Sequence, residues 1–202
     1  VNINNNMSYS GATIEIIFSN ATFTDVNILG NSSEIGLAGI NINGYPDDEM
    51  PIVNMTNVII SGNESGGDFG GGIHTWGMNL NMNYVTITGN TSLGQGSAMY
   101  IQTSNVDITN SIIYDNQPNF QSLYIVNEDY WAQSDINFTY NDIEGGFTGD
   151  GNINLDPLFL DPENNDFTLL SESPCLESGN PGLWYQNLNG TASDMGAMAG
   201  PF

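Results

Sequence analysis

The feature that most constrains this chain is a recurring hexad of the form Val-x-Ile-x-Gly-Asn. It reads Val26-Asn-Ile-Leu-Gly-Asn31, Val58-Ile-Ile-Ser-Gly-Asn63 and Val85-Thr-Ile-Thr-Gly-Asn90. Looser versions are Val1-Asn-Ile-Asn-Asn-Asn6 and Ser111-Ile-Ile-Tyr-Asp-Asn116. The closing asparagines fall 25, 32, 27 and 26 residues apart. A unit of this size cannot bury its own apolar face, so neighbouring units must stack to make one continuous core.

Two further segments recur in phase with the hexad. One follows a glycine-rich stretch: Ile14-Glu-Ile16, Ile40-Asn-Ile42, Ile73-His-Thr75, Met99-Tyr-Ile101 and Leu123-Tyr-Ile125. The other reads Ala21-Thr-Phe-Thr-Asp25, Val53-Asn-Met-Thr-Asn57, Leu80-Asn-Met-Asn-Tyr84, Val106-Asp-Ile-Thr-Asn110 and Ile136-Asn-Phe-Thr-Tyr140. Apolar and polar residues alternate with period two in runs rich in Ile, Val and Thr, punctuated by Gly and Asn, which is the pattern of strands with one buried face. No helical period competes with it.

Three short strands per unit, each pairing with its counterpart in the next unit, make a parallel β-solenoid. Six to seven coils are expected up to residue 146, with residues 147–202 closing the solenoid. Coils about 4.8 Å apart place like above like. Asn31, Asn63, Asn90 and Asn116 should therefore form a ladder at a turn, because asparagine tolerates left-handed backbone and its amide bonds along a stack.

The chain carries 23 acidic residues, one histidine and neither lysine nor arginine, for a net charge of −23. Phosphate recognition rests on Lys and Arg, so nucleic acid is excluded as a partner, and anionic membrane surfaces fall with it. No run approaches the roughly 20 apolar residues that span a bilayer, so no membrane insertion is expected. The lone Cys175 allows no internal disulfide. Eight N-x-S/T sequons, at Asn6, Asn20, Asn31, Asn54, Asn63, Asn90, Asn137 and Asn189, are acceptors if the source glycosylates such sites.

The stretch Asn57 to Asn90, NVIISGNESGGDFGGGIHTWGMNLNMNYVTITGN, resembles the repeats of the right-handed parallel β-helix superfamily, the pectate-lyase-like group. Asn154-Leu-Asp-Pro-Leu-Phe-Leu-Asp-Pro, Asp166 through Asn180, and Ser193-Asp-Met-Gly-Ala197 resemble the closing segment of bacterial secreted β-helix proteins, including type IX secretion cargo. The resemblance implies a right-handed all-β helix, a secreted or cell-surface location, and a chain that is part of a larger protein. The superfamily spans lyases, hydrolases, epimerases, adhesins and passive surface repeats, so it does not fix the activity.

The sequence therefore predicts a non-catalytic scaffold or adhesive surface module. Its partners would be a polysaccharide, another surface protein, or further copies meeting at open solenoid ends. The alternative is a carbohydrate-active enzyme, a polysaccharide lyase or glycoside hydrolase, whose site is on this fragment or upstream. His74, Tyr100 and Tyr124 share an outward column with Glu15 and Asn41, forming a candidate sugar-binding face that could also do acid-base work. The outward pairs Thr22/Thr24, Asn54/Thr56, Asn81/Asn83, Asp107/Thr109 and Asn137/Thr139 form a second flat array suited to ordering water or lying on a polysaccharide. Carboxylates suited to Ca2+ are Asp47, Asp48 and Glu49 in an insertion, and Asp156, Asp161, Glu163 and Asp166 near the closure, though neither set follows an ordered calcium-loop pattern.

Overall fold

The computed structural model describes residues 1–45, 49–67, 69–118, 121–126, 133–187 and 189–198. The chain is an all-β parallel solenoid of about five turns, fewer than the six to seven coils expected from the repeats, built on three stacks of parallel strands. The broad sheet contains β1 (Asn2–Asn4), β4 (Ala21–Leu29), β7 (Ile52–Ser61), β10 (Asn79–Thr88), β13 (Asn105–Thr109), β14 (Ile112–Tyr114), β16 (Asp135–Thr139) and β17 (Asp142–Ile143). The narrow sheet contains β3 (Ile14–Ile17), β6 (Ile40–Asn43), β9 (Ile73–Trp76), β12 (Met99–Gln102) and β15 (Leu123–Val126). Two-residue strands make a corner sheet: β2 (Met7–Ser8), β5 (Ser32–Ser33), β8 (Glu64–Ser65) and β11 (Thr91–Ser92).

Register follows the sequence columns. Ile14, Ile40, Ile73, Met99 and Leu123 pair in one column, and Ile16, Ile42, Thr75, Ile101 and Ile125 in the next. Most of these side chains are buried in the single core cluster that fills the solenoid. Thr75 is buried among them, with its hydroxyl 3.2 Å from Ser104 Oγ. That bond removes the cost of an unpaired hydroxyl in an apolar core.

In β4, β7 and β10 the two outer segments of the repeat join into one bent strand, whereas in the last two coils they stay separate, as β13 and β14 and as β16 and β17. A residue in the left-handed region makes each bend: Asp25, Asn57, Tyr84, Asn110 and Tyr140, with φ between 53° and 57°. Asn and Asp adopt this region readily, whereas tyrosine does so at a steric cost. At Tyr84 the ring is buried and lies 6.5 Å from the Tyr185 ring. The corner strands are too short to carry a period of their own. Close stacking in the adjoining loops requires glycine: a Cβ on Gly39 would lie 2.0 Å from the carbonyl oxygen of Gly72 in the next coil.

The expected asparagine ladder is present and continues back to Asn6. The side-chain amide of each asparagine donates to Oδ1 of the next, at 2.9 Å for Asn6 to Asn31, 2.9 Å for Asn31 to Asn63, 2.8 Å for Asn63 to Asn90 and 3.0 Å for Asn90 to Asn116. Each also donates its backbone N–H to the same oxygen. Asn31, Asn63 and Asn90 are fully buried. Their sequons are thus part of the repeat: the asparagine holds the turn, and Ser33, Ser65 and Ser92 two positions on point inward as buried residues of the corner sheet.

The two ends of the solenoid differ. At the first end, β1, β2 and β3 pair on one side only. At the other end the chain folds back over the last coil. Ile153 bridges Asp142, the Ile143 N–H donates to the Ile153 carbonyl, and Phe147 packs 4.6 Å from Phe138. The segment from residue 155 to 198 then returns along the outer face of the broad sheet as a strap. It contains a hairpin of β18 (Phe159–Asp161) and β19 (Asp166–Leu169). Phe167 and Ala197 cover Ile59, while Cys175 and Met195 cover Ile112. Backbone bonds join 175–179 to 193–195, and Gly196 N–H and Ala197 N–H reach back to Asn110 O (2.8 Å) and Thr86 Oγ1 (3.0 Å).

One buried acid anchors this strap. Asp142 Oδ1 accepts the Leu155 N–H at 3.1 Å, and its Oδ2 accepts the Cys175 thiol at 3.2 Å. Both side chains are fully enclosed. Burial pushes the Asp142 carboxyl above the usual carboxylate range, and burial beside Asp142 pushes the Cys175 thiol upward.

Candidate functional site

The outward face of the narrow sheet concentrates the ring-bearing residues. Its first outward column is Glu15, Asn41, His74, Tyr100 and Tyr124, and its second is Ile17, Asn43, Trp76, Gln102 and Val126. Period-two alternation puts both columns outside because Ile14, Ile16 and their counterparts are needed inside. The expected trio comes together: the His74 and Tyr100 ring centroids are 5.5 Å apart, and Tyr100 stacks on Tyr124 at 5.3 Å. Stacked rings turn part of their faces toward one another.

Four aromatics not anticipated as site residues extend this face. Phe69 meets Tyr100 edge to face at 4.7 Å, Phe18 stacks on Tyr45 at 4.5 Å, and Tyr45 meets Trp76 edge-on at 6.0 Å. Phe18, Tyr45 and Phe69 remain 49%, 58% and 45% exposed. Trp76 was legible, since it stands two residues after His74 on the same strand. Phe18, Tyr45 and Phe69 flank the strands, where no alternation marks them.

His74 is half-buried, with Nδ1 2.8 Å from Asn41 Oδ1. With an acceptor at that distance the neutral ring carries its proton on Nδ1, leaving Nε2 as a base. Burial lowers its pKa to about 4, so the ring is uncharged near neutral pH. Glu15, the acid in the column, lies two rungs from His74, about 10 Å at the ordinary strand spacing. The face thus presents rings, amides and phenols without a positive charge.

The candidate metal ligands are distributed differently. Asp47 and Asp48 lie outside the described residues. Glu49 is exposed beside a shallow cleft with Phe18, Asn20, Met50, Pro51 and Ile52. Asp161 and Asp166 oppose one another across the hairpin. Asp161 Oδ2 accepts from the Asn164 amide at 2.8 Å, and the Thr168 side chain together with the Thr168 N–H, 3.1 Å from Asp166 Oδ1, holds the Asp166 carboxyl below its usual range. Asp156 accepts the Leu158 N–H at 2.9 Å, and Glu163 is exposed in the turn between the hairpin strands. Among the described residues no three His, Cys, Asp or Glu side chains gather as a metal site. No described helix is long and apolar enough to cross a membrane.

Fold and surface together define a parallel β-solenoid with an aromatic outer face. The chain matches no protein family, no curated protein and no solved structure.

Proposed function

We propose that this chain is a non-catalytic, secreted or surface-displayed scaffold whose narrow sheet binds polysaccharide. The observation that carries this reading is the seven-ring face Phe18, Tyr45, Phe69, His74, Trp76, Tyr100 and Tyr124 on a rigid stack. Aromatic side chains offer apolar area with polar tips, which suits the amphipathic faces of sugar rings. A chain of net charge −23 without Lys or Arg favours an uncharged glycan over an acidic one. The resemblance of its repeats to the pectate-lyase-like superfamily, and of its closing motifs to type IX cargo, supports an extracellular setting. Another surface protein or a second copy at the one-sided edges of β1, β2 and β3 would complete a larger assembly.

One observation favours an enzyme instead: the uncharged His74 ring lies 5.5 Å from the Tyr100 ring, a pairing of imidazole and phenol that proton abstraction can use. The two readings separate when the folded chain is incubated with neutral and acidic polysaccharides, with and without Ca2+. Soluble products are then read by mass spectrometry and bound protein by co-sedimentation. The scaffold reading expects retention on a neutral polysaccharide, weakened in Tyr124→Ala, and no new oligosaccharides. Oligosaccharides that vanish with His74→Ala would overturn it.

A further inference from the structure

A second outward surface is built from parts that neither the narrow sheet nor the core uses. On the first half of the broad-sheet strands, Asn54, Thr56, Asn81, Asn83 and Thr109 form a flat floor, and Tyr185 of the strap stands over its edge, enclosing a cleft. Tyr185 belongs to a short 3-10 turn, Leu183–Tyr185, in which the Tyr185 N–H donates to the Gly182 carbonyl at 2.8 Å. Its ring is braced 6.5 Å from the buried ring of Tyr84. The neighbouring Trp184 is 92% exposed.

The floor is ordered before any ligand arrives. Asn81 Nδ2 donates to Asn54 Oδ1 at 2.9 Å, Asn110 Nδ2 to Asn83 Oδ1 at 3.1 Å, and the Thr109 and Thr139 hydroxyls meet at 3.1 Å. These bonds fix the amide planes, so little rotamer entropy remains to be lost on binding. They leave capacity unused: among the described residues Asn81 Oδ1, the Asn83 amide nitrogen and the Thr56 hydroxyl have no protein partner. The result is an uncharged grid of donors and acceptors repeating at about 4.8 Å, walled by an aromatic ring.

We propose that this cleft is a second binding site, for a neutral extended polysaccharide lying across the coils. Anionic chains meet no lysine or arginine anywhere in the molecule and a net charge of −23. Cationic ligands find one carboxylate along this array, Asp107, whose Oδ1 already accepts the Asn137 amide at 2.7 Å. Peptides that add to β-structure do so through backbone bonds at a sheet edge, whereas this surface is a sheet face offering only side chains. A polyhydroxylated chain matches both halves of the cleft: its hydroxyls bond the amide and threonine grid, and its C–H faces pack on Tyr185.

The test is an array of immobilised neutral and acidic polysaccharides, probed with the full chain and its variants in a Tyr124→Ala background that removes the narrow-sheet contribution. Binding to at least one neutral polysaccharide should persist in that background. It should then weaken by about tenfold or more with either Tyr185→Ala or Asn81→Ala, while Tyr9→Ala on the corner-sheet side leaves it unchanged. Asn81 is exposed, so its substitution decides the matter even if Tyr185→Ala loosens the strap. Loss of all neutral-glycan binding in Tyr124→Ala alone, or residual binding indifferent to both Tyr185→Ala and Asn81→Ala, would overturn the second site. No effect of Tyr124→Ala would count only against the narrow-sheet reading.

Discussion

Two asparagine ladders run along this solenoid. Asn31, Asn63, Asn90 and Asn116 stack inside a turn, while Asn54 and Asn81 stack on the outer floor of the broad sheet. Both use the same amide-to-amide bond at nearly the same length, 2.8–3.0 Å in the turn and 2.9 Å on the floor. They differ in what surrounds them. In the turn, every remaining donor is absorbed by backbone: Asn63 Nδ2 also donates to the Ile28 carbonyl at 3.1 Å, and its Oδ1 takes the Asn31 N–H at 3.1 Å. On the floor the remaining valences face water. Burial thus makes one ladder a structural spine and leaves the other as a recognition surface.

The largest expected effect is on the buried ladder. Asn63→Ala removes four bonds at once: those its Oδ1 accepts from the Asn31 N–H and the Asn31 amide, and those its amide donates to the Ile28 carbonyl and Asn90 Oδ1. At about 1–3 kcal/mol per buried polar group left unpaired, denaturant unfolding should show a loss of roughly 3–6 kcal/mol. Asn81→Ala, losing one exposed bond, should stay within about 0.5 kcal/mol of the parent. Equal losses at the two positions would break the comparison.

A smaller effect comes from the strap anchor. The folded Asp142 carboxyl is raised above its unfolded value, so the folded state holds that proton more tightly. Its contribution is fully present below the unfolded value and is lost as pH rises through the raised folded one. The Cys175 thiol and the Leu155 N–H both donate to this carboxyl, Asp156 adds a like charge that discourages its ionisation further, and Tyr114, Asp115, Glu144 and Asp194 are the other titratable groups nearby. Asp142→Asn keeps an acceptor for the Leu155 N–H. Its stability relative to the parent should therefore rise from acid to neutral pH, read as the difference between the two denaturation curves. A difference independent of pH would contradict the burial argument.

The smallest effect runs in the opposite sense. Depressed to about 4, His74 resists protonation in the folded state, so its contribution is lost as pH falls from the unfolded value near 6.5 through 4. The proton resonance of the His74 ring should titrate near pH 4. A midpoint near 6.5 would show the ring to be solvated and free of Asn41.

The buried ladder and the outward His74, Tyr100 and Tyr124 column could be read from sequence, because in-register stacking turns a linear repeat into vertical columns. Other features gave weaker signals. The two-residue strands such as Ser32–Ser33 are too short to show a period, and the joining of two segments at Tyr84 depends on a left-handed tyrosine that no propensity suggests. The covered outer face was marked by lost alternation, in Val58-Ile59-Ile60 and Ile112-Ile113, which is how strands buried on both faces read. Tyr185 over Asn81 had no such mark, because that contact joins a repeat to an irregular segment about a hundred residues away.

Hydrogen exchange with and without a bound neutral polysaccharide tests the central claim most directly. Slowed exchange is expected in β9, β12 and β15 and around Leu183–Tyr185 and β10, with the asparagine turns unchanged because they are already closed. Protection confined to the corner sheet, or none anywhere, would contradict a solenoid that binds through its outer faces.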